Sequence, residues 1–230
     1  MQSILETLRL RNATAEYGQI GRGSENDLIC AHRLFSPYDR LGRHLDFVGT
    51  DATEIANDWT IAATGAIANN TYTLTTAGSG SDTAGITSDV VAFYRADYPY
   101  AETKLKLTSI ADVQLYFGFI KDANELCYLI FDSAVGANWL LAVNGGGTTT
   151  TTDTGIPCLA ATYYKLGVGC GTAGLPFATI DGQLFEPVSA VASTSNRASA
   201  DPMYLSCLIT EAAASAKVAT LRYLAYSFNK

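Results

Sequence analysis

The chain reads as an all-β sandwich or barrel, and three observations say so. Short apolar runs recur along its 230 residues. Clusters of Gly, Asn, Asp and Ser punctuate them at short intervals. Almost no stretch carries a 3.6-residue periodicity, so helices have little to form from.

In chain order, the one helical candidate is Ser3–Leu10, one or two turns at most. Strands are expected at Trp59–Ala63, Tyr72–Thr76 and Val90–Tyr94, separated by the turn clusters ANN and AGSGSD. Ala101–Thr108, Val113–Ile120 and Leu126–Phe131 follow, the last two hinged at KDANE. Trp139–Asn144 and Thr148–Thr152 flank VNGGG. There five threonines favour a strand, and three glycines supply a bulge or turn before it. In YYKLGVG, Tyr164, Leu166 and Val168 alternate with Tyr163, Lys165 and Gly167, the period of a strand with one buried face. Asp181-Gly182 between Phe177–Ile180 and Gln183–Glu186 is a tight-hairpin signal, because the turns that match strand twist need positive φ. Tyr204–Thr210 and Ala216–Phe228 close the series.

Bulk composition narrows the classes. At 48% hydrophobic and 16% charged residues the chain can build a sizeable core. No apolar run approaches the roughly 18 residues of a membrane helix. The start MQSILETLRLRNATAEY lacks the features of a secretory signal, so a chain made and kept in a cytoplasm is expected. Five scattered cysteines, an odd number with no CxxC pair, are expected to be reduced and structural. His32 and His44 have no zinc-like spacing, and neither metal nor cofactor is expected.

Charge divides the chain unevenly. Residues 1–50 hold six Arg and six Asp or Glu, so the net −7 falls on the remaining 180 residues with nine basic and sixteen acidic groups. An acidic body argues against nucleic-acid binding. In HRLFSPYDRLGRHLDF, Arg and aromatic residues recur, the types enriched at interface cores. One reading is a strand and loops packed on the same domain; the other is an arm that docks on a partner. The division expected is an arm over residues 1–50 and a sandwich over 51–230.

The ordered strings TKLKLTSIADVQLYFGFIKDANELCYLIFD, NWLLAVNGGGTTTTTDTGIP, TYYKLGVGC, FATIDGQLF and KVATLRYLAYSFN resemble the concanavalin A-like jelly rolls, also called laminin G-like or lectin/glucanase sandwiches. More narrowly they resemble versions found in virion structural proteins of tailed bacteriophages. The resemblance covers residues 51–230.

Glucanases of this fold carry paired carboxylates on one strand in an ExDxxE arrangement. The nearest string here, TEIANDW, holds Glu54 and Asp58 with Ala56 between, and the match fails. Asp97, Glu102, Asp112, Asp122, Glu125 and Asp132 fall mostly at expected turns. KDANE lacks the ligand density of a calcium loop. GQIGRG lacks the strand and helix context of a phosphate loop, and no GxSxG motif occurs. Trp139 and Trp59 are candidates either for core packing or for stacking on a sugar.

With no assembled active site, the resemblance implies a non-enzymatic virion protein of a tailed phage. It would be a capsid decoration or cement subunit at the virion surface, assembled in the bacterial host cytoplasm. Its partners would be the major capsid protein or other virion proteins, with a homo-oligomer such as a trimer expected and neither nucleic acid nor membrane bound. Phe35, Tyr38, Leu41 and Phe47 would anchor apolar contacts, and Arg33, Arg40 and Arg43 would pair with acidic shell residues. The alternative is a carbohydrate-binding module for host glycans, with Trp139 as its stacking platform.

Overall fold

A computed structural model describes residues 40–46, 59–62, 64–68, 71–94, 97–122, 125–145, 148–171, 176–186 and 202–229. Fifteen strands run through them: β1 (Arg40–Asp46), β2 (Trp59–Ala62), β3 (Thr64–Ala68), β4 (Thr71–Thr75), β5 (Thr83–Phe93), β6 (Tyr100–Leu107), β7 (Val113–Asp122), β8 (Glu125–Asp132), β9 (Asn138–Gly145), β10 (Thr150–Pro157), β11 (Tyr164–Cys170), β12 (Pro176–Ile180), β13 (Gln183–Phe185), β14 (Met203–Glu211) and β15 (Val218–Asn229). They form two antiparallel sheets. The A sheet runs β13–β12–β11–β6–β15–β4–β3, with β1 also on β15, and the B sheet runs β10–β9–β8–β7–β14–β5–β2.

The core lies between the sheets, and side-chain alternation builds it. On β7, Val113, Leu115, Phe117 and Phe119 are fully buried, and on β8 Cys127, Leu129 and Phe131 join them. The A sheet answers with Leu105, Leu107, Leu166, Val168, Leu221 and Leu224. Each such side chain is worth about 1.5–3 kcal/mol relative to exposure. Leu221 and Leu224 are three positions apart yet both face inward, because β15 is bulged between them.

Strand β11 is buried on both faces. Its inward residues are Tyr164, Leu166, Val168 and Cys170, whereas Gly167 and Gly169 make room on the outside. A Cβ at Gly167 would overlap the Tyr100 hydroxyl, and one at Gly169 would overlap the Phe177 ring. Tyr100 and Phe177 stack across this glycine track with centroids 5.9 Å apart.

Local turn chemistry holds where it was expected. Asp181 and Gly182 both have positive φ, 49° and 88°, and close the β12–β13 hairpin at Ile180 and Gln183. The AGSGSD loop before β5 wraps the buried Glu211 carboxylate, which accepts from the Thr76 hydroxyl and from the amides of Gly78 (3.0 Å) and Gly80 (2.5 Å). Gly78 and Gly80 have φ near +84° and +89°, which aims these amides at the carboxylate.

Some boundaries differ from expectation. β5 begins at Thr83 rather than Val90, β10 spans Thr150–Pro157 rather than 148–152, and β3 was not foreseen. In the stretch expected as an arm, Arg40–Asp46 pairs in register with Asn229–Tyr223 of β15, so these seven residues run along the body's closing strand. The helical candidate Ser3–Leu10 lies outside the described residues.

Candidate binding face

Strand parity decides what the B sheet shows on its outer side. With Phe117 and Phe119 inward, Gln114 and Tyr116 point out. Cross-strand register then sets Tyr116 between Leu208 and Ile130, and Gly118 between Ser206 and Tyr128. Gln114 stands opposite Asp132 and Thr210, and Thr210 faces Thr83.

Two tyrosines organise this face. Tyr116 and Tyr128 meet edge-to-face, 5.2 Å between centroids and 87° between planes. Tyr128 can lie where it does because Gly118 has no side chain: a Cβ there would come within 2.5 Å of the Cys127 carbonyl and 2.8 Å of the Tyr128 Cβ. Leu208 lies over Gly85 for the same reason. The two glycines thus set the contour of the sheet around the aromatic pair.

A polar relay adjoins the rings. The Tyr116 hydroxyl donates to Gln114 Oε1 at 2.7 Å, and Gln114 Nε2 donates to Asp132 Oδ2 at 2.7 Å. Asp132 Oδ1 accepts from the Ala134 amide at 2.9 Å. Burial and then the Asp132 charge raise the Tyr116 pKa, and burial and then Tyr116 push Tyr128 up to about 12. Both phenols therefore stay protonated donors through the neutral range. Farther along, Thr87 and Ser206 share a hydroxyl contact at 3.0 Å, as Thr83 and Thr210 do at 2.9 Å. The half-exposed face thus offers rings, hydroxyls and an amide, backed by the buried Asp132 carboxylate, with no Lys or Arg among its described outward residues.

Trp139 is elsewhere. It is fully buried on β9, packed between Phe131 at 5.9 Å and Tyr164 at 5.7 Å, so it cannot be the sugar-stacking platform. The reason is parity, because Trp139, Leu141 and Val143 occupy the inward positions of NWLLAV. Trp59 is likewise buried, beside Tyr226. Of the proposed anchors, Arg40, Leu41 and Arg43 stand on β1, whereas Arg33, Phe35, Tyr38 and Phe47 lie outside the described residues. Glu54 and Asp58 lie outside them too.

Other ionisable groups are committed to structure. Glu102, on the outer face of the A sheet, is nearly inaccessible; Lys165 Nζ lies 3.1 Å from its Oε1, and it accepts from the hydroxyls of Tyr223 (2.8 Å) and Tyr100 (3.0 Å). Glu125 of the KDANE turn pairs with Lys121 at 2.5 Å. Among the described residues no three His, Cys, Asp or Glu side chains stand together as a metal site. Cys158 and Cys207 are buried thiols pushed up to about 12 by burial, far from the thiolate range needed for nucleophilic work.

No family model and no curated protein matches the chain. Solved structures do. A protein of unknown function from Shewanella oneidensis MR-1 superposes with TM-score 0.63 at 12% identity, over 91% of this chain and 95% of that one. The carbohydrate recognition domain of Emp47p gives 0.59 at 13% identity, over 81% and 94%. A laminarinase from Flavobacterium sp. UMI-01 gives 0.57 at 11% identity, over 82% and 99%. At these identities the likeness speaks to architecture alone. The fold is a concanavalin A-like jelly-roll sandwich of the kind shared by lectin and glucanase domains.

Proposed function

We propose that the chain is a non-enzymatic carbohydrate-binding domain and that the outer face of its B sheet is the binding surface. The observation that carries this is the half-exposed Tyr116–Tyr128 pair joined to Gln114, which the buried Asp132 holds in place. Aromatic rings give apolar area for the C–H faces of a sugar, and a few fixed polar groups orient its hydroxyls. Asp132 has no second carboxylate two or four positions away on its own strand, where a retaining hydrolase places its partner about 5–5.5 Å off. This supports binding over hydrolysis. Structural neighbours include both a carbohydrate recognition domain and a laminarinase, so the choice rests on this chain's residues.

The test is a neutral-glycan array with the wild type, Tyr116→Ala and Tyr128→Ala, with circular dichroism as the fold check. Binding lost in both folded variants supports the reading. A wild type that binds no glycan, or variants that bind as well as it does, would overturn it.

A second reading, a phage capsid decoration subunit attached through residues 1–50, is supported by the resemblance of the strand series and by the Arg and aromatic content of that stretch. Its test is the copy number of the chain per purified particle by quantitative mass spectrometry. Hundreds of copies support decoration; none removes it.

A further inference from the structure

The two outer faces of the sandwich carry opposite chemistry. On the open half of the A sheet, Lys104 and Lys106 project from β6, and Arg222 projects from the neighbouring β15. Lys106 Nζ lies 5.0 Å and Arg222 Cζ 4.6 Å from the centroid of the Tyr163 ring, so one aromatic holds two cations together. Neither these cations nor Lys104 forms a salt bridge among the described residues; the Glu102 carboxylate on the same face pairs with Lys165. Beside them the register sets Lys106 opposite Thr220 and Thr220 opposite Thr73, with Thr71 and Thr75 on the same half-exposed face.

We infer that this face binds a linear acidic polysaccharide bearing carboxylate or sulfate groups. Three arguments select that partner. Lys104 and Lys106 stand two residues apart on one strand, roughly 7 Å, and Arg222 is one strand away, about 5 Å, so the cations match anions spaced by a sugar unit. The threonine hydroxyls donate and accept, as ring hydroxyls require. A nucleic acid fits less well. The Tyr163 ring is occupied by cations rather than offered to bases, and three cations on a chain of net charge −7 neutralise too few phosphates. The surface is separate from the Tyr116–Tyr128 face, and its test is independent of that reading.

The experiment is affinity electrophoresis of the full chain in gels containing alginate, dextran sulfate, uncharged dextran or a single-stranded oligonucleotide, at several salt concentrations. Retardation by alginate or dextran sulfate, and not by dextran, is expected; which of the two acts identifies the anion. The double variant K106A/R222A should weaken binding about tenfold or more and lower the slope of log affinity against log salt by about two. Tyr116→Ala and Tyr128→Ala should leave it unchanged, which separates failure here from failure of the other face. No retardation by either acidic polymer, equal binding of the oligonucleotide, or an unchanged K106A/R222A would overturn the inference.

Discussion

Trp139 of the B sheet meets Tyr164 of the A sheet edge-on at 5.7 Å, and the Tyr164 hydroxyl in turn donates to the Pro157 carbonyl at 2.8 Å and accepts from the Leu159 amide at 2.9 Å. One aromatic contact thus joins both sheets to the β10–β11 connection. Trp139→Ala should therefore cost about 3–5 kcal/mol by cavity formation, read as a lower denaturation midpoint in urea. A loss below about 1 kcal/mol would mean the indole is not in this contact.

Gly118→Ala tests the contour of the tyrosine face. The glycine has φ near +149° and no room for a Cβ beside the Cys127 carbonyl. Strain of about 1–3 kcal/mol, plus displacement of Tyr128, is expected. Near-ultraviolet circular dichroism should report the ring movement alongside the stability loss.

Glu102 and Lys165 form a nearly buried pair, so removing one partner strands the other. Glu102→Leu or Lys165→Met alone should cost about 3–5 kcal/mol, whereas the double apolar replacement Glu102→Leu with Lys165→Met should cost distinctly less than the sum of the two. Strict additivity in a double-mutant cycle would show the pair to be uncoupled.

Acid sensitivity has a named contributor. Desolvation pushes the Glu211 carboxyl up, but the Thr76 hydroxyl and the Gly80 and Gly78 amides outweigh it and hold the pKa below the usual 4.5. A carboxylate depressed in the folded state stabilises the fold above its unfolded pKa and loses that contribution as pH falls through the folded value. Stability should be flat in this respect above about pH 5 and decline below 4.5, and Glu211→Gln should remove that part of the decline in urea titrations across pH.

Legibility in the sequence followed the range of the interactions. β7, β8, β11 and the Asp181-Gly182 turn were readable because period-two alternation and positive-φ chemistry act within a few residues. The first half of β5, TAGITSD, carries Gly, Ser and Asp, and its strand exists through a ladder to β14 more than a hundred residues later. β1 is set by pairing that is longer still. The candidate face was half visible. Tryptophan drew attention by its scarcity and chemistry, but strand phase, not residue type, decides exposure. The same alternation that put Phe117 and Phe119 inside already put Gln114 and Tyr116 outside, and the KDANE hinge already joined the next strand; what neither could supply was the register that brings Tyr128 and Asp132 alongside.

The β1–β15 ladder also fixes how the domain bears load. Arg40 is matched with Asn229 at one end and Asp46 with Tyr223 at the other. A pull applied between Arg40 and Asn229 loads this ladder one rung at a time, as in opening a zipper, rather than all seven residue pairs together in shear. A tether at this edge is then a weak mechanical link that peels while the sandwich behind it stays closed.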